Sequence, residues 1–393
     1  MREYLVVFLV AASVTYLLTV IAREVALRTG AVARVRDRDM HVVPIPYFGG
    51  LALLGGLVAA YLVARELPFL SLSTPNVFRD AGVVLVAGAF ICMVGVLDDL
   101  FELDALTKLG GQVIATGILI AFGVQYLFFP APGGGQFSLE TSQAALLTVV
   151  TVIATVNAVN FVDGLDGLAA GVVGGGAIAF FLFSYQIANL NGQSLAVTGA
   201  LLCAALGGAC AGFLPHNFYP ARLFMGDSGS MRLGLGLSAS ALTLSGQCSA
   251  TDVTRGGGGS QASLLPTLLP IIVPLSILIV PLADLVLAIV RRTRRGQMFY
   301  HPDKQHLHHR MLEIGHSHRR AVLILWLWAG LIGFGTVLGS LYAAPTTWLF
   351  LALWFVVTVL LTFVLPRVRG IDPAPKEGTE VPEPAVESAT DGG

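Results

Sequence analysis

Residues 81–99 read AGVVLVAGAFICMVGVLDD. An uncharged run ends on two adjacent carboxylates, Asp98 and Asp99. A helix crosses the ~30 Å hydrocarbon core of a bilayer with about 20 apolar residues, so the run 80–97 predicts one crossing. The same pattern recurs on both sides of it. Eleven candidate runs cover roughly 4–22, 48–64, 80–97, 109–127, 144–158, 169–187, 197–213, 231–247, 264–290, 321–342 and 347–366. In lipid the backbone must satisfy its own polar groups, so these runs are read as helices. Composition agrees. Of 393 residues, 55% are hydrophobic and 12% charged, against roughly 25% charged in soluble domains. Mean hydropathy is +0.77. A soluble domain, a coiled coil and a disordered chain are excluded. The 23 basic and 24 acidic residues nearly cancel, which does not suit a nucleic-acid binder. Cys92, Cys203, Cys210 and Cys248 have neither zinc spacing nor a disulfide framework and read as packing residues.

Lys and Arg concentrate on the cytoplasmic side of membrane proteins. Eleven crossings place loops 23–47, 98–108, 159–168, 214–232, 291–320 and the end of the chain on one side, which then holds 19 of the 23 basic residues. That side is read as cytoplasmic, with the N-terminus outside. Run 4–22 is followed by Arg23, Glu24 and Arg28 rather than a small-residue cleavage site, so it reads as a retained helix. The ninth run contains Pro266, Pro270, Pro274 and Pro281, and proline removes a backbone donor and kinks helices. The reading is an all-α polytopic membrane protein with about eleven transmembrane helices and a kinked or broken ninth. One membrane domain spans 1–370. Residues 371–393, rich in Pro, Glu, Gly and Ala, form a disordered tail.

The polar residues are not scattered. Asp98 and Asp99 end the third run, with Lys108 ten residues on. Asn157, Asn160, Asp163 and Asp166 end the fifth. Asn217, Phe224 and Asp227 lie in loop 214–232, and His306, His308 and His309 in loop 291–320. All fall on the cytoplasmic side. Carboxylates beside cations and imidazoles suit a divalent metal and an anionic substrate. Each group also has a plainer reading. Asp98 and Asp99, about 100° apart on a helix, can simply end a span, and Lys108 can anchor one. Asn157, Asn160, Asp163 and Asp166 drift by about half a helical turn, so a break near Asp163, with Gly164 and Gly167, is needed to gather them. Helix capping explains one of the four. Asp227 can be a cap, and Phe224 can pack at the interface or stack on a base. Only His306 and His309 share a helical face, which is too few for zinc. Asp284, inside the ninth run, has no assigned role.

These motifs resemble those of the polyprenyl-phosphate N-acetylhexosamine-1-phosphate transferase family, of glycosyltransferase family 4 type. The resemblance rests on PIPYFGG (44–50), VLDD (96–99), TKLGGQ (107–112), NAVNFVDGLDGLAAG (157–171), PHNFYPARLFMGDSGS (215–230) and PDKQHLHHRML (302–312). It implies Mg²⁺-dependent transfer (Mn²⁺ as a substitute) of a sugar 1-phosphate from a UDP-amino-sugar to polyprenyl phosphate in the plasma membrane, releasing UMP. It further implies a cytoplasmic active site and a homodimer. Carried onto this sequence, Asp227 is the metal ligand. Asp98 and Asp99 are the catalytic pair, read as metal ligands, base or nucleophile. Asn157, Asn160, Asp163 and Asp166 make substrate contacts, and Lys108 faces a phosphate. Asn217 and Phe224 form the uridine pocket, and His306, His308 and His309 are a catalytic cluster. His-Leu-His-His-Arg departs from the three consecutive histidines of the branch using UDP-MurNAc-pentapeptide. It favours UDP-GlcNAc and looks most like actinobacterial enzymes that use decaprenyl phosphate to begin the arabinogalactan linker.

Two readings from other classes compete. A cation-coupled transporter would place its site near the bilayer midplane, whereas these clusters sit at one end of the spans. A polytopic scaffold leaves the motifs unexplained.

Overall fold

A computed structural model of the chain describes residues 1–32, 45–130, 136–191, 194–245, 293, 311, 315–342 and 344–364. The ninth run, its prolines, Asp284, Gly256–Gly259, Cys248, the cluster His306, His308 and His309, and residues 371–393 lie outside them.

Every other apolar run is a helix. In chain order these are α1 (Arg2–Thr29), α2 (Gly49–Glu66), a short α3 (Pro68–Ser71), α4 (Pro75–Phe101), α5 (Ala105–Ala121), α6 (Thr141–Val162), α7 (Leu168–Asn191), α8 (Ser194–Asn217), α9 (Gly226–Ser245), α10 (His318–Leu341) and α11 (Pro345–Phe363). Among the described residues, eight helices are long and apolar enough to cross a membrane. The protein is a multi-pass membrane protein. The short fifth run is in fact 22 residues long as α6. Among the described residues, β1 (Phe128–Pro130) and β2 (Gln136–Ser138) depart from an all-helical chain and pair antiparallel as a small hairpin between α5 and α6.

Helix α9 is the axis of the bundle. It packs on α2, α4, α6, α7 and α8. Its sequence, GDSGSMRLGLGLSASALTLS, is rich in Gly, Ser and Ala, and small residues let helices approach closely in lipid. Its hydroxyls do not demand distant partners. Ser238, Ser240 and Thr243 donate back to the carbonyls of Leu235, Gly236 and Ser240. This composition explains two corrections. The helix begins at Gly226, one turn before the apolar run at 231. Arg232, counted with the cytoplasmic loop cations, is instead a buried side chain inside α9.

Two apolar cores flank α9. One joins α1, α2, α7 and α8 around Leu53, Phe180, Phe183 and Phe213. The other joins α4, α5, α6 and α9 around Ile91, Leu119, Val156 and Leu235. The outward faces of α1 and α11 keep Leu5, Leu9, Leu17, Leu349 and Leu353 exposed, as a lipid-facing surface requires. From α1 to α9 the short connections make successive spans run in alternating directions. The ends of α4, α6 and α8 therefore meet the starts of α5, α7 and α9 at one end of the bundle.

Candidate active site

The start of α9 is held from another helix. Asp99, near the end of α4, accepts from the backbone N–H of Asp227 (2.8 Å) and of Ser228 (3.3 Å). The first N–H groups of a helix lack intrahelical partners, and Asp99 supplies them across 128 residues of sequence. Gly226 makes room for this. Its φ is +69°, in the left-handed region, and a Cβ there would lie 2.5 Å from Asp99 Oδ2. Gly95, one turn before Asp99, is equally constrained, because a Cβ there would run into the Ser228 backbone.

With α9 so placed, the Asp227 side chain leaves its own backbone and meets three elements. Lys108, in the first turn of α5, donates to Asp227 Oδ2 (2.7 Å) and pairs with Asp98 Oδ2 (2.5 Å). Asn160, in the last turn of α6, donates to Asp227 Oδ1 (2.8 Å) and Ser230 Oγ (2.9 Å). The other oxygen of Asp98 accepts from Leu103 N–H (2.8 Å), which folds the α4–α5 turn. Asp98 is buried, whereas the Lys108 and Asp227 side chains stay 32% and 26% exposed. The cluster therefore opens to water at the bundle end. The 100° between Asp98 and Asp99 is realised: one faces Lys108, the other holds α9.

Helix α6 ends at Val162, with Asp163 as its cap residue. A turn with Gly167 at φ +81° then leads into α7. This is the break that the spacing demanded. Asp163 is half-buried beside the cluster. Burial pushes its carboxyl well above the usual carboxylate range, and the charges of Asp227, Asp99 and Asp166 add to this. Asp98 and Asp227 meet at Lys108, and Asp163 lies within electrostatic reach of Asp227 and Asp99.

The remaining residues mostly hold loops. Asp166 is buried and accepts from Ala221 N–H (2.9 Å). Asn217 is buried, accepts from Gly167 N–H (3.1 Å) and donates to the Leu223 carbonyl (3.1 Å). Together they fasten loop 218–225 to the α6–α7 turn. Asn157 lies deeper on α6 and donates to Gln112 Oε1 and the Ile153 carbonyl, both at 2.8 Å. Phe224 is half-buried, its ring 6.3 Å from that of Tyr47. The segment before α2 holds it there. Phe224 N–H donates to the Pro46 carbonyl, and Gly49 and Gly50 donate to the carbonyls of Phe224 and Met225. Sequence reasoning assigned no role to Gln112, Ser230, Tyr47 or Gly226. The quoted motifs contain all four, but nothing local distinguishes them.

The donor set fits a magnesium ion in chemistry. Mg²⁺ favours one or two carboxylates and completes its shell with water and phosphate oxygens. Asp98 and Asp227 turn one oxygen each toward a single cation, now the Lys108 ammonium. Among the described residues no group of three or more acidic, His or Cys side chains forms a ready cage.

The chain is similar to known proteins along nearly all its length. Residues 81–245 match the profile of Glycosyl transferase family 4. Decaprenyl-phosphate N-acetylglucosaminephosphotransferase of Mycobacterium tuberculosis (strain ATCC 25618 / H37Rv) is 43% identical over 377 residues, covering 95% of this chain and 91% of the relative. The protein of the same name from Mycolicibacterium smegmatis is 42% identical, with the same coverage. A probable undecaprenyl-phosphate N-acetylglucosaminyl 1-phosphate transferase of Bacillus subtilis (strain 168) is 33% identical, covering 94% of this chain and 93% of the relative. The matched stretch contains Asp98, Asp99, Lys108, Asn160 and Asp227, the residues that the fold gathers at one bundle end. On this ground the chain belongs to glycosyl transferase family 4.

Proposed function

We propose that the protein transfers N-acetylglucosamine 1-phosphate from UDP-N-acetylglucosamine to a polyprenyl phosphate, decaprenyl phosphate in particular, and releases UMP. The observation that carries this reading is the Lys108 ammonium bridging Asp98 and Asp227 at the water-facing end of a membrane bundle. A diphosphate needs cations and a water-facing mouth, and a prenyl acceptor needs lipid alongside. Both conditions meet here. The names of the relatives support the sugar and the acceptor. The histidine motif His306-Leu-His308-His309 supports a donor without a peptide.

The transfer is one displacement. An oxygen of the lipid phosphate forms a bond to the β-phosphorus of the donor, and the bond from that phosphorus to the bridging oxygen breaks, with UMP leaving. A phosphate monoester has a second pKa near 6 and is mostly a dianion at neutral pH, so no proton need be removed. The work of the chain is placement and charge neutralisation. Asp227 and Asp98 would hold Mg²⁺, with Mn²⁺ as a substitute. When bound, the ion supplies charge neutralisation on the diphosphate. Lys108, released from the carboxylates, is within reach of a phosphate. Asn160 fixes the Asp227 rotamer. Asp99 is a positioning residue, since both its oxygens hold the start of α9. Asp163 and Asp166 border the donor mouth, and Phe224 with Tyr47 offers an aromatic face for the uracil.

The topology belongs to this proposal. We place the mouth on the cytoplasmic side, with eleven crossings and the N-terminus outside. Eighteen of the basic residues still favour that side once Arg232 is removed from it, against four. Helix α9 ends away from the carboxylates, and α10 begins beside them, where Arg319 donates to the Tyr219 carbonyl (3.0 Å). This supports a further crossing between the two. A transporter is disfavoured, because the polar cluster closes one end of the bundle instead of lying at its middle.

Purified protein incubated with labelled UDP-N-acetylglucosamine, decaprenyl phosphate and Mg²⁺ should release UMP and form a lipid-extractable pyrophosphoryl sugar. Asp227→Asn should abolish both. Near wild-type turnover by that variant, or no lipid product from the parent, would refute the assignment.

A further inference from the structure

Arg232 lies five residues beyond Asp227, about 1.4 turns along α9, and is 2% exposed. A guanidinium stays protonated in proteins. Inside a bilayer its charge is costly unless an opposite charge meets it. None of the ion pairs among the described residues includes Arg232. Its Nε and Nη1 are buried without a hydrogen-bond partner among the described residues. Among the described residues, the acids on neighbouring spans are engaged elsewhere, Asp80 with Arg79 and Asp98 with Lys108.

The side chain borders a cavity of about 20 Å³ between α2, α4, α8 and α9, whose other walls include Leu57, Ala81, Val84 and Leu206. Gly88 on α4 leaves the guanidinium its place, since a Cβ there would collide with it. A cavity of that size holds one water-sized particle. Water alone would meet the N–H groups but leave the charge uncompensated.

We propose that this cavity is an anion site, in which Arg232 binds one small monovalent inorganic anion of the halide class. The volume is too small for phosphate, sulfate or a lipid headgroup. The apolar walls select an anion that sheds water readily. The bound anion joins α9 to α2, α4 and α8 in mid-bundle and so steadies the helix that carries Asp227. The site is separate from the carboxylate cluster and does not depend on the transfer reaction.

The test is thermal unfolding of the full-length protein in detergent, in sodium chloride against sodium gluconate at equal ionic strength. The parent should unfold several degrees lower in gluconate, and added bromide should restore it along a saturating curve. Arg232→Leu should show no such difference. A parent indifferent to the anion, or a leucine variant that keeps the response, overturns the proposal. Should Arg232→Leu fail to fold, anomalous diffraction from crystals of the parent grown in bromide decides. A bromide peak beside the guanidinium supports the site. A carboxylate of the chain such as Asp284, or water alone, in that place overturns it.

Discussion

Replacing Lys108 by Gln separates two roles that a simple loss of activity would confound. The ammonium lies 2.5 Å from Asp98 Oδ2 and 2.7 Å from Asp227 Oδ2. The two oxygens are therefore at most 5.2 Å apart, the contacts laid end to end. Two bare carboxylates at that distance repel by about 3 kcal/mol at an effective dielectric constant near 20. That energy corresponds to about 100-fold in an equilibrium constant. Lys108 is about one-third exposed, so water screens part of it, and roughly tenfold is a reasonable lower figure. In the parent a divalent ion must displace the ammonium from this pair. In Lys108→Gln it meets two repelling carboxylates with no ammonium between them, and at most a shared proton to displace. The half-saturating Mg²⁺ concentration should therefore fall by about 10- to 100-fold, while maximal turnover drops because a phosphate loses its cation. Both are read from UMP release across a Mg²⁺ titration at saturating donor and acceptor. A half-saturating concentration equal to or above that of the parent would refute the idea that Lys108 and the metal compete for one pair of oxygens.

Other substitutions probe how the site is held. Asp99→Asn keeps one of the two acceptors, enough for the shorter contact with the Asp227 N–H, and gives up the longer one with Ser228, so it should retain more turnover than Asp98→Asn; equal losses would contradict a positioning role for Asp99. Gly226→Ala places an L-residue at φ +69°, a cost of roughly 1–2 kcal/mol, and drives its Cβ toward Asp99. Turnover should fall at least about tenfold with the protein still folded in the membrane, and unchanged turnover would contradict this placement of α9. Asp166→Asn should preserve the bond to Ala221 N–H and the donor KM, whereas Asp166→Ala removes the acceptor of that half-buried N–H, at a cost of about 1 kcal/mol, and should raise that KM. Equal KM values for the two variants would remove the loop-bracing role.

Much of this was legible from sequence because lipid makes a coarse demand. Runs of about 20 apolar residues announce themselves, and α4 and α7 needed no more. The polar residues at the ends of those runs were legible for the same reason: a bilayer tolerates carboxylates only there or where they function. The failures have separate physical sources. Helix α9 is stabilised by close backbone packing and internal hydroxyl bonds, not by apolar side chains, so hydropathy placed its start a turn late and left Arg232 in a loop. The β1–β2 hairpin is three residues a side, too short for alternation to show. Partnerships across the bundle were not legible at all. Nothing local to Asp99 points to the N–H groups of Asp227 and Ser228. The clamp of residues 46–50 on 224–225 is backbone to backbone and leaves no trace in side-chain chemistry.

The division of labour between Asp98 and Asp99 follows from helix geometry alone. Consecutive residues on a helix point about 100° apart, so a pair at a helix end addresses two neighbours instead of one ion. Here the neighbours are the first turn of α5 and the first turn of α9. Asp98 draws Lys108 inward, and Asp99 fixes the axial position of α9, which sets where Asp227 emerges. A carboxylate at each place is therefore required for different reasons, one for charge at the site and one for the backbone beneath it. The glycines at 95 and 226 belong to the same device, because α4 must come near enough for a side chain as short as aspartate to reach the start of α9. A longer acid at position 99 would push the helices apart. The adjacent acids thus report how closely two spans approach as much as what the site binds.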